Sequence, residues 1–317
     1  MPHLLDPELA AVAAALPTAD LSDLAAAREA ERLVSEHLPV HEPQTPLSVR
    51  DVTVPGPSGA GDVRVRVYAP AERSGTLPGL LYLHGGGYVM GSLALIDSPA
   101  RMLAERAGVI VVAVDYRLAP EHPFPAGLED SYAALVWAAE QGGEHGIDAD
   151  RLGVLGESAG GGLAAALTML TRERGGPRLL AQFLDAPTVD DRLNTPSMRT
   201  LRDTPVWQSA NSPIAWGHYL RGTAEPGAAD VPVHAAVARA RVEDLAGLPP
   251  ALVVAYQIDP TRDEALDYAR LLIQAGVPTD LRHYGKAFHV AHFIPGTAIG
   301  SRMIDDRIEA IRRMLEA

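Results

Sequence analysis

Short runs of uninterrupted apolar residues recur along this chain, and helical stretches separate them. The runs cover residues 80–83, 109–114, 152–155, 179–184 and 251–255, and the helical spacing falls in residues 98–107, 128–140, 160–174 and 263–275. A strand that is apolar at every position is buried on both faces, as happens where helices cover both sides of a parallel sheet. Strand and helix in alternation therefore predict a mostly parallel central sheet flanked by helices, an α/β architecture. Ahead of it, residues 52–54 and 63–68 alternate apolar and polar side chains about a glycine-bearing turn at 56–61, the pattern of an antiparallel hairpin. The first 45 residues read as one or two helices. Leu9, Val12 and Leu16, then Leu21, Leu24, Ala27 and Leu33, recur at helical spacing, Pro17 and Asp20 punctuate the pair, and Ser22 is a plausible cap. Residues 188–232 break the rhythm with prolines and with Trp207, Trp216 and Tyr219, and read as an irregular insertion over a binding site.

Composition narrows the function. The 317 residues, 47% hydrophobic and 21% charged, suit one large soluble domain. There is no cysteine, which removes disulfides, thiolate metal sites and a cysteine nucleophile together. Forty acidic against 27 basic residues leave a net charge of −13, which repels phosphate backbones and argues against nucleic acid as a partner. Lys286 is the single lysine, so Schiff-base chemistry would fall on that residue alone. The start has no basic segment followed by an apolar run, so neither an export signal nor a membrane span is expected and the cytoplasm is the expected location.

The chemistry is carried by Gly156-Glu157-Ser158-Ala159-Gly160, which follows an apolar strand and opens an alanine- and leucine-rich helix. Alone, G-x-S-x-G is a weak motif. Between a buried strand and a helix it describes a sharp turn that exposes a strained nucleophilic serine, with small residues where side chains would collide. The free N–H groups and positive dipole end of the new helix suit a developing oxyanion. About 70 residues upstream, His84-Gly85-Gly86-Gly87-Tyr88 follows another buried strand. The amides of Gly86 and Gly87, with that of Ala159, are the expected oxyanion hole. The spacing fits neither G-x-G-x-x-G nor a P-loop.

A serine needs a base, and the base needs an orienting acid. In the α/β-hydrolase order of serine, acid, histidine, Asp259 follows the buried strand ending at 255, and His289 follows a further strand at 280–284. Both then stand at the carboxyl edge of the sheet, where ligand sites belong. His289 is preferred to His292 by position. His283, His289 and His292 lack a zinc-site pattern, so no metal is expected. Asp190 and Asp191 read as a solvated turn or as partners for Arg192 or Arg199, and Glu157 as a structural hydrogen-bonding group.

Taken together, these segments resemble the bacterial hormone-sensitive-lipase-like esterases of the α/β-hydrolase fold over about residues 45–315. His84–Gly87 matches that family's HGGG box, Asp115 to Ala126 its DYRLAPE-x-PFPA stretch, Gly156–Gly160 its GDSAG box with glutamate for aspartate, Asp259–Glu264 its DPLRDE segment, and Tyr284–His289 its Y-P-G-x-x-H run. The resemblance implies a helical cap made of residues 1–45 and an insertion at about 188–225, on a catalytic domain spanning 46–317. It also implies hydrolysis of short to medium acyl esters through a Ser158–His289–Asp259 triad and an acyl-enzyme, without a cofactor. Tyr88, Trp207, Trp216 and Tyr219 are the expected substrate-binding residues of the covered pocket, with ordinary packing the equal alternative for Trp207, Trp216 and Tyr219. The same triad serves an acyltransferase or amidase. A non-catalytic ligand-binding homologue, of the kind the plant gibberellin receptors represent, would be expected to lack a triad member, and all three are present here. The expected partner is a small-molecule ester, and nothing in the sequence closes off a homodimer. The chain departs from the family at Val290, where glycine usually follows the histidine, at Gly285-Lys286, which replaces a Pro-Gly pair, and at Phe183–Val189.

Overall fold

The computed structural model describes residues 5–16, 18–294 and 296–316; Pro17, read above as a helix breaker, lies outside them. The strands are β1 (Leu47–Val54), β2 (Val63–Pro70), β3 (Leu77–Leu83), β4 (Ile110–Asp115), β5 (Ile147–Glu157), β6 (Ala181–Asp185), β7 (Ala251–Ile258) and β8 (Thr279–Phe288). Among the described residues they form an eight-stranded sheet in the order β1-β2-β4-β3-β5-β6-β7-β8. β2 runs antiparallel to both β1 and β4, and every pairing from β4 through β8 is parallel. The alternating residues 63–68 thus lie on the antiparallel side of the sheet and the continuous apolar runs in its parallel part.

The helices are α1 (Pro7–Ala13), α2 (Leu24–Ser35), α3 (Asp97–Ala107), α4 (Ala126–Glu140), α5 (Ala159–Glu173), α6 (Pro196–Thr200), α7 (Asn211–Tyr219), α8 (Val242–Leu245), α9 (Arg262–Gln274) and α10 (Ala298–Leu315). One face of the sheet packs against α4, α5 and α9 through residues such as Leu128, Leu163 and Ala269. The other packs against α3 and α10 through Leu103, Ile308 and Ile311. Covering both faces is what obliges the buried stretches of β3 to β7, such as Leu152–Leu155 of β5, to be apolar.

Three readings need correction. Ser22 caps nothing: it lies in a short 3-10 turn, where its own N–H donates to Asp20. The carboxylate of Asp23 accepts the Ala26 N–H at 3.0 Å and caps α2. The segment 188–232 is not wholly irregular, since α6 starts on a Thr195 cap and α7 carries Trp216 and Tyr219. Asp190 and Asp191 are buried rather than solvated. Asp190 pairs with Arg192 at 2.7 Å and Asp191 with Arg239 at 2.6 Å, which offsets the cost of burying charge. Arg199 takes no part in either pair.

Strand order reverses around β3 and β5, because β4 and β5 lie on opposite sides of β3. Such a switch point opens a crevice at the carboxyl ends of the strands. Ser158 directly follows β5, Asp259 follows β7 and His289 follows β8, so the three lie along that edge.

Candidate active site

Backbone geometry places the serine. Ser158 has φ 54° and ψ −120°, a conformation that costs a non-glycine residue free energy and persists only when its surroundings over-determine it. Its N–H donates to the Asp185 carbonyl at 2.8 Å, and its own carbonyl accepts N–H groups from Gly162 and Thr188. The flanking glycines are sterically required. A Cβ on Gly156 would lie 2.0 Å from the Gly160 carbonyl oxygen, and one on Gly160 would lie 2.1 Å from that of Leu83. This contact seats the start of α5 against the end of β3.

Around the serine the polar groups form a continuous chain. Ser158 Oγ lies 2.9 Å from His289 Nε2, and His289 Nδ1 lies 2.8 Å from Asp259 Oδ2. Asp259 also accepts the Thr261 N–H at 2.9 Å. All three side chains are buried. Burial pushes His289 down, but the charge and hydrogen bond of Asp259, with the charges of Asp185 and Glu157, outweigh it and hold the imidazole above its ordinary value of 6.5.

The glycine loop after β3 is locked from behind. Tyr116 stacks on His84 with ring centroids 4.2 Å apart and donates its hydroxyl to the His84 carbonyl at 2.7 Å. His84 Nδ1 in turn lies 2.7 Å from the Gly85 carbonyl. Among the described residues, the N–H groups of Gly86, Gly87 and Ala159 donate to no protein acceptor. Beside Ser158 opens a cavity of about 230 Å³ whose walls include Ala27, Ala30, Glu31, Val34, Gly85, Gly86, Met90, Trp207, His289, Val290 and Phe293.

A family described as having the alpha/beta hydrolase fold matches residues 80–293. The carboxylesterase NlhH of Mycobacterium tuberculosis is 41% identical over 245 residues, covering 77% of this chain and 75% of that protein. This chain is a bacterial hormone-sensitive-lipase-like esterase. The esterase LipI of the same organism is 38% identical over 266 residues, covering 82% and 80% of the two chains. A solved structure described as a bacterial heroin esterase superposes with a TM-score of 0.94 at 39% identity, over 99% of each chain. The protein is a carboxylic-ester hydrolase.

Of the four aromatic residues expected to bind substrate, the esterase places one in the cavity wall. Trp207 lines it, held by a 3.0 Å bond from its Nε1 to Ser212 Oγ. Tyr88, Trp216 and Tyr219 lie outside that wall in a buried stack, with Tyr88–Tyr219 centroids 3.9 Å apart and Tyr88–Trp216 centroids 5.4 Å apart. The Tyr88 hydroxyl donates to the Thr188 carbonyl at 2.7 Å, tying the glycine loop to the segment beyond β6. There they pack against one another.

Beneath Ser158 lies a polar network that motif reading did not assemble. Arg307 of α10 donates to Glu157 Oε1 at 2.6 Å and also bonds Asp185. His292 Nε2 lies 3.1 Å from Glu157 Oε1, and the Tyr256 hydroxyl lies 2.8 Å from Asp185 Oδ1 and 3.0 Å from His292 Nδ1. Burial pushes the Glu157 carboxyl up, but the charge of Arg307 and the bonds from His292 and Arg307 outweigh it and hold it down to about 2. The network joins the residue before Ser158, the strand end that holds the Ser158 N–H, and the turn after His289. An arginine at an apolar register of α10, four residues from both Met303 and Ile311, was the available signal. Both departures near His289 fall on left-handed backbone, Lys286 with φ 63° and Val290 with φ 48°. Glycine adopts that region freely and a β-branched residue does not.

Proposed function

We propose that this esterase cleaves short to medium acyl esters through an acyl-enzyme on Ser158. His289 takes the Ser158 proton as Oγ attacks the ester carbonyl, and Asp259 holds the imidazole in the tautomer with Nε2 free to accept it. The carbonyl oxygen gathers negative charge and is met by the N–H groups of Gly86, Gly87 and Ala159. His289 returns the proton to the departing alcohol, then activates a water that releases the acid by the same steps in reverse. The observation that carries this reading is the pair of bonds to His289, 2.9 Å from Ser158 Oγ and 2.8 Å from Asp259 Oδ2.

Residues 1–45 and about 188–225 act in this reading as a cap. Two features support it: α2 contributes Ala27, Ala30 and Val34 to the cavity wall, and the Asn211 side chain bonds both the Leu21 N–H and the Ala19 carbonyl. The small apolar cavity favours short acyl groups. The test is release of p-nitrophenol from acetate, butyrate and octanoate esters by the purified chain and by S158A. The expected result is a rate that falls with chain length and, in the variant, a kcat lower by on the order of 10⁶. Hydrolysis unchanged in S158A would overturn the assignment. Adding an alcohol and analysing the products separates hydrolysis from acyl transfer by the same triad.

A further inference from the structure

We propose that Glu31 is an anionic subsite that selects esters carrying a positively charged nitrogen, of the ammonium-alcohol class. The inference rests on the esterase reading above and deepens it. One face of α2 turns toward the catalytic cavity, with Ala27, Ala30, Glu31 and Val34 at i, i+3, i+4 and i+7. Three of these are small or apolar, and the fourth is a carboxylate. The cavity wall contains one other carboxylate, Glu157, and that one is buried against Arg307. Glu31 is different. Oε2 accepts the Gly91 N–H at 2.6 Å and Oε1 accepts the Ser92 hydroxyl at 3.2 Å, and among the described residues no cationic side chain pairs with it. The nearby arginine of α2, Arg28, is committed to Glu121 and to the carbonyls of Val89 and Ala119.

A carboxylate offers about four lone-pair directions, and two neutral donors leave its charge unneutralised. Burial pushes the Glu31 carboxyl up, and the bonds from Gly91 and Ser92 with the charge of Arg28 offset this only in part. A cation in the cavity would supply the missing charge. Trp207 presents an indole to the same space, a surface that attracts ammonium groups. The net charge of −13 adds a field that draws cations toward the protein. The two bonds to the 91–92 loop also anchor α2, so a purely structural Glu31 is the reading to separate.

The experiment compares kcat/KM for acetylcholine and for 3,3-dimethylbutyl acetate, which differ by a quaternary nitrogen in place of carbon, with p-nitrophenyl acetate as reference. The wild-type ratio of cationic to neutral ester should be about 10 at low salt, and E31Q, which keeps the volume and an acceptor, should bring it toward 1. A wild-type ratio of 1 or below, or a ratio that E31Q leaves unchanged, overturns the subsite. Should E31Q fail to fold, inhibition of wild-type neutral-ester hydrolysis by tetramethylammonium, compared with 3,3-dimethylbutanol, decides the matter: the cation must inhibit more strongly. If p-nitrophenyl acetate itself is not hydrolysed, the triad assignment falls, and the subsite with it.

Discussion

Replacing Arg307 with methionine removes the one cation of the network beneath Ser158 while roughly keeping its volume. Arg307, Glu157 and Asp185 are 6%, 1% and 3% exposed, so the two carboxylates would be left almost without solvent or counter-charge. Breaking a buried pair by deleting one partner costs about 3–5 kcal/mol. The pH linkage points to a similar figure. Glu157 is held at about 2 against an ordinary 4.5, which corresponds to roughly 3 kcal/mol of stability at pH 7. Because the folded value is depressed, that share is complete above pH 4.5 and is lost as pH falls from there toward 2. In R307M burial, the largest influence on Glu157, is opposed by His292 alone, so its carboxyl rises and the folded variant comes to bind a proton more readily than the unfolded chain. The stability deficit should therefore be largest near pH 7 and shrink as pH falls toward 5. Urea unfolding of both proteins at several pH values measures this, and the melting temperature should drop by on the order of 10 °C at pH 7. A deficit below about 1 kcal/mol at pH 7, or one independent of pH between 7 and 4.5, would refute the reasoning.

In the wild type, kcat/KM should rise with pH through a midpoint above 6.5, because the raised His289 must lose its proton before it can act as a base; a pH–rate profile on a short ester checks this. Substituting Asp259 by asparagine should lower kcat by about 10⁴ and move that acidic limb to lower pH, since burial then acts on the imidazole without its counter-charge. An unshifted limb would show that Asp259 does not set the titration. G160A would put a Cβ 2.1 Å and 2.4 Å from the carbonyl oxygens of Leu83 and His84, and should cost at least about 1–3 kcal/mol, read as a lowered urea midpoint.

Much of the architecture is legible in the linear chain because its causes are local. Continuous apolar runs belong to strands covered on both faces, as β3 to β7 are, and alternation belongs to the β1–β2 hairpin. The serine turn is legible for the same reason: Gly156 and Gly160 stand where two backbones nearly touch, and the motif records that contact at short range. Asp259 and His289 stand out because each closes a strand. Ser22 misleads because the carboxylates on either side of it take the N–H groups instead: Asp20 accepts that of Ser22 and Asp23 that of Ala26. What the chain's order cannot display is which distant side chains meet. Tyr88, Trp216 and Tyr219 have the composition of a pocket wall, but the left-handed turn at Gly87 and Tyr88 sends the ring into a stack behind the site. Arg307 lies 150 residues from Glu157 and 122 from Asp185, yet packing brings its guanidinium to both. Glu31 is one of two acidic residues on α2, and only the fold brings it to the wall of the cavity beside Ser158. Spacing along the chain determines which groups a strand or helix presents together, and only the crossing of those elements in three dimensions decides which charges go unpaired and which cavity they face.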